Sequence, residues 1–257
     1  MIRREEENGW LLITQHEHAE LAGEIMEYWG NEMFSVPEPR DEVLFAISEH
    51  DAGWRQWDAS PKVDAPSGHP ANFSEMDTRD QSEIWEHCFR DHEAEHPYAS
   101  ILIALHFAKF NQHNLDRDPS DENSRMLKSE LGKFIKDKAG VELNGFSLDE
   151  VPRDIKVNLK LLQIGDIVSL TLCHGWKSIE IMDAPIDYSG DSRTLKMESG
   201  DGLNFTVEPY PFSEPQLNFS ILCRRVAAAS FANDAEYRHE YENAELEKLY
   251  FKISQKD

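Results

Sequence analysis

The segment EHDAGW, residues 49–54, places a histidine next to an aspartate near the end of an apolar helix. Val43, Ile47 and Trp54 recur at helical spacing and define the face of that helix that should turn inward. His50 and Asp51 should therefore come close to the core. A buried aspartate costs several kcal/mol unless it is paired or bound to a metal, so this doublet needs a partner.

Two other ionisable side chains lie on apolar helix faces. His18 shares a stripe with Ile25 in a helix that begins at a capping box, residues 14–17. Asp166 lies among leucines in a later predicted helix, residues 155–173. Imidazole nitrogen and carboxylate oxygen suit iron, manganese, zinc or magnesium. Mixed ligands of this kind, with coordination positions left open, are typical of catalytic rather than structural metal sites.

The composition limits the possible partners. The formal net charge is −23, from 49 acidic and 26 basic residues, and such a surface would repel a phosphate backbone. We therefore expect no long nucleic acid and no membrane as partner. A small-molecule anionic substrate is compatible with this charge where a metal reverses the local field. The sequence carries no indication of an oligomeric state.

The cysteines and the first ten residues favour a reducing, cytoplasmic location. Cys88, Cys173 and Cys223 are far apart and show no spacing typical of a disulfide framework or a thiolate zinc site. The segment MIRREEENGW, residues 1–10, has no long apolar run and so differs from a secretory signal. No apolar run in the sequence is long enough to span a bilayer.

Two kinds of pattern along the chain indicate the fold class. Helical periodicity dominates up to about residue 173, whereas apolar and polar residues alternate from about residue 193. We therefore predict a mainly α helical bundle over residues 1–180. A smaller, antiparallel β-containing part, of α+β composition, should cover residues 181–257 and pack on the bundle.

The order of the ionisable residues resembles that of the HD-domain metal-dependent phosphohydrolases. Their pattern is a histidine on one helix, a His-Asp doublet on the next and an aspartate on a late helix. Here His18, His50-Asp51 and Asp166 match these positions, and Gly53 follows the doublet as in many such proteins. The resemblance implies an HD-domain-like helical bundle in which these four side chains hold one or two divalent metals, with Asp51 also catalytic.

A second motif concerns additional histidines. The segment HPYASIL, residues 96–102, resembles the helix start that supplies an extra histidine in members with two metals, and His87 or His106 could supply another. On this basis His96 and His106 would hold a second metal or stabilise charge on a phosphoryl oxygen. The alternative is that His96 only caps a helix before proline, and that His106 is a hydrogen-bonded core histidine.

Candidate substrate contacts follow the doublet. Trp54 and Trp57 are either core residues or walls of a pocket, Arg55 and Lys62 are nearby cations for a substrate anion, and His87 is a further candidate. The proline-containing stretch from residue 56 to 77 is long for a loop, and we predict that it forms one wall of the pocket. The alternative is a surface crossover that covers the core.

These observations predict a metal-dependent hydrolase of a small phosphate ester or nucleotide. Because the HD-like scaffold also occurs with two irons, a di-iron HD-type oxygenase is an alternative, and a non-catalytic ligand-binding module is another. The whole chain, with HDAGW, WDASP, HPYAS and PYPF, also resembles an uncharacterised bacterial family of unknown function. That resemblance implies no activity.

Overall fold

The described part of the protein runs from a β-hairpin through seven helices into a strand-rich region. The computed structural model describes residues 1–143 and 148–256. The elements in chain order are β1 (Ile2–Glu6), β2 (Gly9–Ile13), α1 (Gln15–Met26), α2 (Arg40–Glu49), α3 (Trp54–Asp58), a 3-10 turn (Phe73–Glu75), α4 (Thr78–Arg90), α5 (Pro97–Arg117), α6 (Glu122–Ala139), α7 (Arg153–His174), β3 (Ser178–Pro185), β4 (Ser192–Ser199), β5 (Asn204–Glu208), β6 (Gln216–Val226), α8 (Asp234–Asn243) and β7 (Leu246–Gln255).

The seven strands form one mixed sheet in the order β1-β2-β6-β7-β5-β4-β3, which curls into a half-barrel. The N-terminal hairpin joins the sheet through β2, whose Trp10 pairs with Val226 of β6. All neighbouring strands are antiparallel except β5 and β7, which run parallel from the pair Asn204 and Lys252 onward. Strands from both ends of the chain thus share one ladder of hydrogen bonds.

The prediction of a mainly α, HD-domain-like bundle with a small antiparallel part is wrong. Helices make up 45% of the protein and strands 22%, and the strands form a single large mixed sheet rather than an appendage. The sheet includes β1 and β2, which lie in the predicted helical segment 1–180. Strand β3 crosses the predicted boundary between the segments 1–180 and 181–257. Alternation along the sequence predicts that a strand exists but not which distant strand it pairs with, because pairing depends on tertiary contacts.

Helices α1, α2, α5 and α7 form a packed group, in which α1 and α7 also contact strands of the sheet. Gly165 of α7 allows a close approach to α1 and α2, because a Cβ there would lie 2.9 Å from both Ile47 Cγ2 and Met26 Cγ. This contact brings α7 against the ends of α1 and α2. As a result, the inward faces of these helices meet within one hydrophobic core.

Helix α5 contains a run of ten buried residues, Ala99 to Ala108. Its apolar surface is covered by α2, α4, α6 and α7, which all contact it. No helix among the described residues combines the length and the apolar character needed to cross a bilayer. The burial of its apolar run and these helix contacts make α5 a core segment of the fold.

Candidate metal centre

Four helices bring five ionisable side chains together in the core. His18 lies on α1, His50 and Asp51 directly follow α2, His106 lies on α5 and Asp166 lies on α7. All five residues are at least 90% buried. Two overlapping groups have ligand atoms within 4.8 Å of one another, namely His18, His50 and Asp51, and His50, His106 and Asp166.

The orientation of His18 is fixed by Ser169 of α7. The Ser169 hydroxyl donates to the His18 carbonyl oxygen at 2.6 Å, so its oxygen is left to accept a hydrogen bond from His18 Nδ1 at 3.3 Å. In the neutral imidazole the lone pair then belongs to Nε2. This atom lies 3.1 Å from Asp51 Oδ2 and 3.9 Å from Asp166 Oδ1, so it points at the two carboxylates.

His50 is oriented in the same way by its own helix. Its Nδ1 donates to the Ile47 carbonyl oxygen at 2.7 Å. Its Nε2 lies 3.7 Å from Asp51 Oδ2 and 3.8 Å from Asp166 Oδ1. Burial lowers the pKa of His50, but the Asp51 and Asp166 carboxylates outweigh burial and raise this pKa to about 9. Without a bound cation, the His50 imidazolium would partly neutralise the two carboxylates.

Asp51 is held by the first residue of α1. The Gln15 side-chain amide donates to Asp51 Oδ2 at 3.1 Å. Gln15 itself is buried, and its backbone N–H donates to Asp58 Oδ2 at 2.6 Å. Because Thr14 caps α1 by accepting a hydrogen bond from the backbone of Glu17, the start of this helix is fixed and Gln15 faces the doublet.

Asp166 connects the two groups of ligands. One of its oxygens faces His18 and His50, while Oδ2 lies 3.6 Å from His106 Nε2. Burial raises the pKa of Asp166, but the neighbouring histidines, His50 above all, lower it to about 2. Burial lowers the pKa of His106 to about 4, and its Nδ1 is buried without a hydrogen-bond partner among the described residues. At neutral pH, Asp166 is thus ionised and His106 is uncharged.

The spacing of these ligand atoms is compatible with a bound metal ion. Ligands at right angles around an ion with bonds of roughly 2.1 Å are separated by roughly 3 Å. The nitrogen–oxygen separations of 3.1 to 3.9 Å are close to that value. His50 has a single free lone pair, because Nδ1 is bonded to Ile47, so it can serve only one of the two groups. Buried histidines and aspartates of this protein could therefore hold a metal.

The centre opens into a cavity of about 260 Å³, which we call the aromatic cavity. Its apolar lining residues are mostly aromatic, and its polar groups are mainly amides and histidines. Six of its lining residues were predicted from the sequence as site residues, namely His18, His50, Asp51, Trp54, His106 and Asp166. The sequence did not predict a place in the site for Arg117 at the end of α5, or for Asn114 and Gln81, whose side chains are hydrogen-bonded to each other. The other lining residues are Gln15, Phe73, Ser74, Trp85, Phe107, Phe110, His113 and Leu170.

Two predicted histidine positions lie outside the aromatic cavity. His96 stands at the N-cap of α5, where Nδ1 lies 2.9 Å from Glu42 Oε1 and the ring stacks on Phe45 at 3.6 Å. His87 is exposed on α4, with Nδ1 3.2 Å from Asp91. Neither ring lines the cavity, because each faces a carboxylate away from the metal centre. Of the predicted extra histidines, only His106 lies beside Asp166.

The predicted substrate contacts are also divided. Trp54 is buried and lines the aromatic cavity, whereas Arg55 pairs with Glu49 at 2.8 Å outside it. The Lys62 ammonium lies 4.0 Å from the centre of the Trp57 ring, and neither residue lines the cavity. The stretch 56–77 nevertheless contributes to the wall through Phe73 and Ser74. The sequence could not show which of these side chains line the cavity, because α3 and the 3-10 turn change the direction of the side chains within a few residues.

Comparisons with known proteins add a family but no activity. No curated protein and no solved structure matched the chain. One family model, described as "Protein of unknown function (DUF3891)", matches residues 1–228 and so covers the metal centre and most of the sheet. The match confirms the predicted membership of an uncharacterised family: the chain belongs to the DUF3891 family of proteins of unknown function.

Proposed function

We propose that the protein is a metal-dependent hydrolase of a small phosphate ester or nucleotide. The observation that carries this proposal is the convergence of His18, His50, Asp51 and Asp166 beside an aromatic cavity. A divalent ion held there supplies a bound water of lowered pKa and a Lewis acid for a phosphoryl oxygen. The two carboxylates and two imidazoles leave coordination positions free, which is typical of catalytic metal sites.

The surrounding residues have separate tasks in this proposal. Ser169 and the Ile47 carbonyl oxygen keep the Nε2 lone pairs of His18 and His50 turned to the centre. His106 is neutral at pH 7 and adjoins Asp166, so it can accept a proton from a water molecule or donate a hydrogen bond to the substrate. The cavity is small and largely apolar, which favours a small molecule over a polymer.

The motif supplies independent support for this chemistry. A histidine, a His-Asp doublet and a late aspartate follow one another along the chain as they do in HD-domain phosphohydrolases. The resemblance is confined to the order of these residues, because the mixed sheet has no place in that helical bundle. A di-iron oxygenase would need a second set of ligands, and His50 cannot supply its one free lone pair to both groups.

Elemental analysis of protein purified without added metal, followed by a hydrolysis screen, tests the proposal. The screen uses phosphomonoesters and nucleotides with Mg²⁺, Mn²⁺, Fe²⁺ or Zn²⁺. We expect bound metal and phosphate release in the wild type, and loss of both in His50→Ala. The matched control is His96→Ala, which removes a histidine that lines neither the metal centre nor the aromatic cavity.

Three outcomes would contradict the proposal. Metal content that is unchanged in His50→Ala would place the metal elsewhere. Bound iron with turnover that consumes dioxygen would favour the oxygenase. A folded protein with no affinity for any of the four metals would favour a non-catalytic binding module.

A further inference from the structure

The metal centre is also reached from a second side. A separate cavity of about 540 Å³, which we call the lysine opening, is lined by Lys109 of α5 and Lys160 of α7. It meets the aromatic cavity at four residues that line both, which are His106, Phe110, His113 and Asp166. A ligand at the metal centre can therefore extend in two directions.

The lysine opening carries two neighbouring ammonium groups. Lys109 follows His106 by three positions, so both side chains lie on one face of α5. Among residues 1–143 and 148–256, no carboxylate lies within 4.0 Å of either ammonium nitrogen. Lys160 is half-buried, and burial, followed by the charge of Lys109, lowers its pKa. An anion between the two lysines would relieve both effects.

The acidic groups nearby do not satisfy these lysines. Glu180 of β3 lines the opening, and the charge of Asp183 acts on Lys160 from the same strand. Both acidic residues are exposed, and neither comes within ion-pair distance of a lysine in the described part of the chain. In a chain with 49 acidic and only 26 basic residues, two adjacent lysines without a carboxylate partner are an unusual arrangement beside a cavity.

The charge of the metal centre explains why these cations would be needed. Asp51 and Asp166 together neutralise a divalent ion. One phosphoryl group bound there already adds negative charge, so a second one linked to it needs a cation of its own. Lys109 and Lys160 supply two such cations, in the opening that shares Asp166 with the aromatic cavity but does not include its amide pair.

The aromatic cavity suits the opposite end of such a ligand. Trp85 stacks on Phe107 with ring centres 5.2 Å apart, and Phe110 extends this surface to the junction of the two cavities. The side-chain amides of Gln81 and Asn114 provide hydrogen-bonding groups at the same wall. Flat aromatic surfaces with a few amides are suited to a nucleobase.

From these contacts, we propose that Lys109 and Lys160 form a second anion subsite, and that the ligand is a nucleotide with at least two linked phosphoryl groups. Its base would occupy the aromatic cavity, one phosphoryl group the metal centre and the next the lysines. This inference rests on the proposed function for the position of the first phosphoryl group. The subsite itself depends only on the two lysines.

Calorimetric titration with adenosine monophosphate and adenosine diphosphate tests the subsite, using Mn²⁺-loaded wild type and Lys109→Gln/Lys160→Gln. We expect the wild type to bind the diphosphate about tenfold more tightly, which corresponds to about 1.4 kcal/mol. In the double variant, the monophosphate affinity and metal content should be unchanged, and the preference for the diphosphate should vanish. The control is Lys133→Gln/Lys248→Gln, which removes the same charge from exposed lysines outside both cavities.

The outcomes separate this inference from the proposed function. A diphosphate preference that is absent in the wild type, or unchanged in the double variant, overturns the subsite even if metal binding and hydrolysis are found. If the protein binds no metal, the proposed function fails, and the same titrations on the metal-free protein decide the subsite. A lysine-dependent preference would then uphold it, and absence of binding by either nucleotide would refute it.

Discussion

Ser169 has no direct place among the candidate ligands, yet its replacement by alanine should weaken metal binding. The Ser169 hydroxyl is buried between the His18 carbonyl oxygen and His18 Nδ1. In Ser169→Ala, the proton of His18 is no longer held on Nδ1. It can move to Nε2, which then donates to Asp51 Oδ2 at a separation of 3.1 Å. In this tautomer, His18 offers no lone pair to the metal.

The size of the loss in metal affinity follows from the hydrogen bond between His18 Nε2 and Asp51 Oδ2, which must break before His18 can bind the metal. A hydrogen bond from an imidazole to a carboxylate contributes about 1.5–3 kcal/mol. Metal affinity should therefore fall by about 10- to 100-fold, which agrees with the usual effect of removing a group that orients a metal ligand. Folding should change less, because His18 exchanges one buried hydrogen bond for another.

The assay is competition of the metal-loaded protein against a chelator of known affinity, with Co²⁺ absorption as a second readout of ligand geometry. The control is Ser100→Ala. Ser100 is fully buried on α5, and its hydroxyl has no hydrogen-bond partner among the described residues. Its removal should leave metal affinity unchanged. Equal affinities in Ser169→Ala and the wild type would refute the idea that the tautomer of His18 prepares the centre.

Three further predictions concern pH, packing and Asp51. The pKa of His50 is raised to about 9, so metal binding below that pH should release a proton from His50. Metal affinity should therefore rise between about pH 7 and 9. Calorimetry in buffers of different ionisation enthalpy measures the released proton. Without metal, the stability from protonated His50 is complete below its ordinary pKa of 6.5 and is lost as pH rises through about 9, which urea unfolding can follow. Gly165→Ala should cost about 1–3 kcal/mol of unfolding free energy, since its Cβ meets two side chains. In Gly132→Ala the added Cβ meets no atom within 4 Å, so the free energy of unfolding should rise by as much as about 1 kcal/mol. Equal thermal shifts in the Gly165 and Gly132 variants would contradict the packing at α7. Gln15→Ala should reduce metal affinity by about tenfold in the chelator assay, because Asp51 loses its amide donor; an unchanged affinity would show that other contacts hold this carboxylate.

Local sequence determined much of the helical part of the protein. The capping box at Thr14 and the apolar spacing of α1, α2, α5 and α7 are properties of neighbouring residues, so they were readable from the chain alone. The same periodicity placed His18 and Asp166 on inward faces. A buried ionisable side chain must meet a partner, and this requirement pointed to the group that the helices bring together.

Tertiary structure alone decided the sheet and the walls of the site. β2 pairs with β6, more than two hundred residues away, and β5 runs parallel to β7. The free-energy cost of bringing such distant segments together depends on the whole fold, so it cannot be inferred from a local sequence pattern. Likewise, Arg117, Lys109 and Lys160 look like ordinary surface residues in sequence, and only tertiary packing places them in the cavities beside the candidate metal centre. Periodicity shows which face of a helix is buried, whereas the neighbours that it meets are determined by side chains far along the chain.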